Sequence, residues 1–226
     1  MGKLKLLFLS ANLSSGRLKS GTELREIDEQ IRQGLNSEIF EIVSALAVRT
    51  TDLQQISLRE RPQLVHFSGH GAEQRGIMLE NEAGRPAAVS GETLAGLFRI
   101  AGRPIRVVFL NACESVTTTE AFSSIVDYTI AMRCPITDRG AIVFAKAFYR
   151  AISHRISVPD AFALGINELM IERIPETDVP RLTIRPGAQD QFQAAPTEPP
   201  EPRHGREGKV VVKGKGKNFV MNTKVR

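Results

Sequence analysis

The chain has 226 residues, 42% apolar and 24% charged, enough to bury one full core with a small appendage, so a single main domain is expected. Its formal charge of +5 is concentrated at the end, where residues 201–226 hold eight Lys or Arg against two Glu; the remainder is near −1, which argues against a nucleic-acid-binding body. No stretch approaches the roughly 20 apolar residues of a membrane span, "LKLLFLSAN" turns polar too soon for a signal peptide, and two cysteines make no secreted disulfide framework, so a cytoplasmic protein with reduced thiols is expected.

Apolar strand-like runs alternate with helical periodicity, the pattern of a mostly parallel sheet covered by helices on both faces. "KLLFLSA" reads as a first buried strand. In "SGTELREIDEQIRQGL", Ser20 and Glu23 form a capping box and Leu24, Ile27, Ile31 and Leu35 an apolar stripe, so a helix follows. "FEIVSALAV" is a second strand, "TTDLQQISLRE" a short helix and "QLVHFS" a third strand. "GIMLENEAGRPAAVS" carries an Asn81 to Gly84 turn between short extended runs, the pattern of a hairpin, and Ser90 caps the helix "GETLAGLFRI". "IRVVFLNA" is the most apolar strand. Thr117 and Glu120 make a second capping box before "AFSSIV", and "YTIAM" is a fifth strand. A helix from Thr137 has its stripe at Ala141, Phe144, Ala145, Phe148, Ala151 and Ile152. Another, capped by Ser157 with Pro159 in its first turn, buries Val158, Phe162, Ile166 and Leu169, and "RLTIR" supplies a sixth strand.

Two of these strands end in residues that carry chemistry. Reactive groups of an open parallel sheet gather where strands reach their carboxyl edge, and "LVHFSGHG" and "VVFLNACES" both leave strands there. Alternation keeps His66 inside the layers. His70 lies beyond its strand in a Gly-His-Gly turn, and Cys113 stands just past the other strand, ahead of a capped helix whose N-terminal field favours a thiolate. If the strands are neighbours, His70 reaches Cys113, giving a nucleophile activated by an imidazole, with the N–H groups of Gly71 and Cys113 as a candidate oxyanion hole. The residues alone leave plainer readings open: Cys113 as a buried thiol, His70 as a turn histidine satisfied by backbone. A zinc site from His66, His70 and Cys113 is disfavoured, because a four-residue spacing aligns two ligands on a helix and not across a strand end. Cys134 has no histidine nearby in sequence and reads as structural. "GKGKN" lacks the spacing of a phosphate-binding loop.

Together "LVHFSGHG", "VVFLNACES" and "CPITDRGAIVFAKAFYRAISHRISVPDAF", with "LLFLSAN…LREIDEQI" and "ALAVRTTDL", resemble the CHAT domain, a family of caspase-like clan cysteine peptidases, over roughly residues 4–185. The resemblance implies a caspase-like αβα sandwich with a mostly parallel six-stranded sheet. It implies His70 and Cys113 as a catalytic dyad, a protein substrate, no cofactor and no metal. It also implies a regulated endopeptidase, an effector in prokaryotic defence or cell-death signalling. Departures are mild: "IAM" stands where a glycine usually precedes the methionine, and "SHR" replaces a helix-ending glycine. Asp138 is a candidate for an acidic pocket that receives a basic substrate residue, with Glu114 and Asp127 as rivals; equally, Asp138 at a helix start serves the helix dipole.

Residues 1–186 are thus read as the peptidase domain. Residues 187–207, rich in Pro, Gln, Glu and Gly, are read as a linker, and 208–226 as a basic β-prone tail. In that tail, "KVVVK" and "NFVMNTKV" could pair as a hairpin too small to be stable by itself. The tail is a candidate recruitment motif for a sensor or regulatory protein. Hence the second reading of the chain is a signalling adaptor that assembles partners through its tail.

Overall fold

The computed structural model describes residues 3–11, 20–71, 76–101, 105–112, 119–122, 124–189 and 192, together with the backbone of 210–214 and 217–221. The main sheet is built from β1 (Leu4–Ser10), β2 (Phe40–Ala45), β3 (Leu64–Ser68), β6 (Val107–Asn111), β7 (Tyr128–Met132) and β8 (Pro180–Ile184), in the order β2-β1-β3-β6-β7-β8. All pairs are parallel except β7 with β8. A hairpin of β4 (Ile77–Glu80) and β5 (Pro86–Val89) is inserted after β3. Its turn follows the sequence expectation: the Asn81 side-chain oxygen accepts the N–H groups of Ala83 and Arg85, and Gly84 N–H reaches the Asn81 carbonyl.

The period-two alternation of the strands divides the core. Leu6, Phe8, Leu64, Val107, Phe109, Ile130 and Met132 face α1 (Ser20–Gln33), α5 (Asp138–Ser153) and α6 (Val158–Ile171). Leu7, Leu9, Val65, Phe67, Val108 and Leu110 face α2 (Asp52–Glu60), α3 (Gly91–Ile100) and the short α4 (Thr119–Phe122). The result is the expected αβα sandwich. Ser90, Thr137 and Ser157 cap α3, α5 and α6 by accepting from the N–H groups of Thr93, Gly140 and Asp160.

Three expectations shift. The stripe of α1 runs through Glu23, Ile27, Gln30 and Ile31, Leu24 is only partly buried, and Leu35 lies beyond the helix, 78% exposed. Glu23 does not form a capping box with Ser20, because its carboxylate is turned inward. On α6 the fully buried positions are Val158, Ala161, Gly165 and Leu169, with Phe162 and Ile166 packed at the margin. The first compact unit runs through Gln193, and Phe192 is buried in its core at 4% exposure. Thr117, the expected start of the second capping box, lies outside the described residues. Residues 194–226 form a separate compact unit, in which β9 (Val210–Gly214) and β10 (Lys217–Met221) pair antiparallel, as the tail's β-prone runs suggested.

Candidate active site

The carboxyl ends of β3 and β6 lie side by side. Ser68 pairs with Asn111 in register, and Gly69 N–H donates to the Asn111 carbonyl at 3.1 Å. The chain leaving β3 reaches His70 two residues after Ser68, and the chain leaving β6 reaches Cys113 two residues after Asn111. His70 is half-buried, and its carbonyl accepts Met78 N–H at 2.9 Å from the inserted hairpin, which also bridges Gly71 to Ile77. The hairpin depends on Gly76, whose φ of +110° and whose 2.1 Å clearance between an added Cβ and the Val89 carbonyl exclude other residues. His70 is therefore held from two sides by backbone.

A cleft of about 170 Å³ opens at this edge, lined by Ser20, Glu23, Ser68, Gly69, His70, Asn111, Ala112, Ile136, Asp138, Ala141 and Ile142. Of the residues singled out in the sequence, the structure brings His70 and Asp138 to this one cleft and sets Gly71 next to His70. Cys113 and Glu114 lie outside the described residues, immediately after the cleft residue Ala112. Asp138 is exposed and opens α5, whose start is fixed by Glu176: its carboxylate accepts Thr137 N–H and the Thr137 hydroxyl, each at 2.9 Å.

Asp127 is placed elsewhere. It precedes β7, at the opposite end of the strand from the cleft, only 2% exposed, and its carboxylate accepts from Arg106 and Arg185. Burial pushes its carboxyl up, but the two guanidinium groups outweigh this and hold it below its ordinary value. It is a structural clamp between strand ends and does not line the pocket.

At the wall of the cleft, Glu23, Ser68 and Asn111 join His66 in a buried polar group that sequence reading took apart. Glu23, 3% exposed, faces His66 Nε2 at 3.0 Å and Asn111 Nδ2 at 2.6 Å with one oxygen, and accepts the Ser68 hydroxyl at 2.6 Å with the other. His66 is fully buried, stacked between Phe8 and Phe109 at centroid distances of 4.9 and 4.5 Å, with Nδ1 3.2 Å from the Tyr149 hydroxyl. Burial pushes the Glu23 carboxyl up, yet His66 and the hydrogen bonds from Ser68 and Asn111 outweigh it and hold the group below its ordinary value. Ionised Glu23 can only accept, so His66 Nε2–H donates the hydrogen bond to it. Burial and the nearby Glu23 charge raise the Tyr149 phenol well above its ordinary value, so it stays protonated. Both ring nitrogens of His66 are thus engaged within the fold, as expected for a strand histidine. Glu23 stands on the α1 stripe one turn before Ile27, and a carboxylate on that apolar stripe was the available signal.

Cys134 is a free thiol partly buried against the core. Among the described residues, no group of three His, Cys, Asp or Glu side chains is placed to hold a metal ion, and no helix is long and apolar enough to cross a membrane.

A model of the CHAT domain matches residues 12–169. A "Roc-COR-CHAT protease" of an unknown prokaryotic organism is 27% identical over 180 residues, covering 76% of this chain and 17% of the relative. A "Probable protease" of Gillisia limnaea is 22% identical over 151 residues, 65% of this chain and 26% of the relative. The chain thus spans only about a sixth to a quarter of the length of these curated relatives. Among solved structures, a secreted C11 cysteine protease of Bacteroides thetaiotaomicron, bound to an irreversible peptide inhibitor, superposes with a TM-score of 0.59. That match is 11% identical and covers 81% of this chain and 66% of the other. A second structure of a C11 protease from that organism gives 0.50 at 10% identity, with 72% and 62% covered. These likenesses show the fold.

Proposed function

Since this chain belongs to the CHAT domain family, we propose that it is a cysteine endopeptidase working through Cys113 and His70. The observation that carries this reading is the register of β3 and β6, which sets the residue two places before His70 directly opposite the residue two places before Cys113. In the proposed mechanism His70 takes the thiol proton, and the Cys113 sulfur attacks the scissile carbonyl carbon. The developing oxyanion is received by the N–H groups of Gly71 and Cys113. His70 then gives its proton to the leaving amine, and the peptide C–N bond breaks. Water, deprotonated by His70, attacks the thioester, and the Cys113 sulfur leaves as the acid product departs.

Asp138 is the candidate recognition residue for a basic side chain before the scissile bond, supported by its position on the same cleft as His70. Glu114 remains a candidate from the sequence. The description of both relatives as proteases supports a protein substrate. The wider role proposed is that of a regulated effector in prokaryotic defence or cell-death signalling, located in the cytoplasm. A second reading, an adaptor that assembles partners through its tail, is favoured by one observation: residues 194–226 form their own compact unit with a β-hairpin.

The test is labelling by a thiol-reactive peptide electrophile, located by peptide mass spectrometry. Label is expected on Cys113 in the intact chain and in Cys134→Ala, and none on that peptide in Cys113→Ala. Equal labelling of Cys113 and Cys134 would remove the claim of an activated nucleophile.

A further inference from the structure

One buried carboxylate reaches both strand ends from which the dyad departs. Glu23 accepts from Ser68 on β3, two residues before His70, and from Asn111 on β6, two residues before Cys113, while His66 fixes the same carboxylate from below. Parallel strands are joined near this edge by evenly spaced backbone bonds, and among the described residues the one nearest His70 is Gly69 N–H to the Asn111 carbonyl. The Glu23 carboxylate adds a side-chain link between the same two strand ends. An ionised carboxylate with both oxygens engaged makes charge-assisted bonds roughly twice as strong as neutral ones. Its burial at 3% exposure keeps water from substituting for them.

We propose that Glu23 is a positioning residue that ties Ser68 to Asn111 and so fixes the separation of His70 and Cys113, on which thiol activation depends. Glu23 does not enter the chemistry itself; its oxygens are spent on the tether. Helix α1 thereby becomes part of the active site: a displacement of α1 at its first turn would loosen the dyad without touching substrate.

The inference rests on the dyad reading, so its test uses intrinsic reactivity and needs no identified substrate. In the full chain, the alkylation rate of Cys113 by iodoacetamide at pH 7 is compared with that of Cys134, which serves as the internal gauge of folding. An ordinary thiol is only about 3% ionised at this pH, so complete loss of activation can slow Cys113 by at most about thirtyfold. Glu23→Ala, which removes the tether, is expected to slow Cys113 at least about tenfold within that bound and to leave Cys134 unchanged. Glu23→Gln keeps the contact pattern, its carboxamide oxygen accepting from His66 and Asn111 and its nitrogen donating to the Ser68 hydroxyl; it should restore the rate to within about threefold of wild type. Ser68→Ala, which cuts one arm, should fall between the two. If Glu23→Ala unfolds, seen as a faster Cys134, Ser68→Ala decides.

A wild-type Cys113 rate in folded Glu23→Ala or Ser68→Ala, or a Glu23→Gln as slow as Glu23→Ala, overturns the tether while leaving the dyad standing. A wild-type rate in His70→Ala overturns the dyad, and the tether with it.

Discussion

Asp127→Asn separates a structural carboxylate from a substrate-binding one. Wild-type Asp127 accepts from Arg106 Nη1 at 2.6 Å and from Arg185 Nε at 3.1 Å, and its side chain is 3% exposed against 24% and 32% for the two arginines. A hydrogen bond to a charged group contributes about 1.5–3 kcal/mol, and stripping one partner from a fully buried pair costs about 3–5 kcal/mol. Here the guanidinium groups can turn their outer edges to water and Asn keeps one acceptor. The loss should therefore be about 2 kcal/mol, or about 4–8 °C in Tm for a domain of this size. Because the folded carboxyl is held below its ordinary value of 3.8, the stabilisation is fully present above that pH and is lost as pH falls through the lower folded value. Thermal unfolding of wild type and variant at neutral pH and at pH near 3 should therefore show a gap that narrows on acidification. The rate of Cys113 alkylation should be unchanged. An unchanged Tm with altered Cys113 reactivity or altered cleavage preference would refute the clamp and return Asp127 to the site.

Asp138→Asn should lower kcat/KM about tenfold for peptides with Arg or Lys before the scissile bond, equivalent to about 1.4 kcal/mol for one partly solvated charge-assisted contact, without slowing Cys113 alkylation. A peptide library that selects an apolar residue at that position would overturn the acidic pocket. Deleting residues 194–226 should leave Tm and the cleft intact while abolishing co-purification of any partner held by the tail; a collapsed Tm would show that the tail belongs to the body. Deleting 187–226 also removes Phe192, 4% exposed, and should cost about 3–5 kcal/mol by the scale of buried Phe truncation. Equal stability of the two truncations would refute its packing role.

The strands, and the edge at which β3 and β6 end side by side, were legible because a buried strand has a period of two and because each of these apolar runs ends in polar and glycine-rich sequence. Leu6 and Phe8 face one layer and Leu7 and Leu9 the other, as alternation requires. Tertiary pairing was not legible. Ser20 and Glu23 satisfy the local pattern of a capping box, but the same Glu lies on the α1 stripe, and proximity to His66, 43 residues away, overrides the local motif. Asp127 near a strand gave no sign that Arg106 and Arg185 would converge on it from 21 and 58 residues away. Phe192 sits in a segment whose composition is that of a linker, and a single anchoring aromatic leaves no periodicity to detect.

The central claim is that Cys113 and His70 cut peptide bonds. Its most direct measurement is a mass-spectrometric count of new protein N-termini in bacterial cells expressing the full chain, Cys113→Ala or His70→Ala at matched levels of folded protein. Wild type should produce a set of new termini that disappears in both variants. The same termini persisting with folded Cys113→Ala would contradict it.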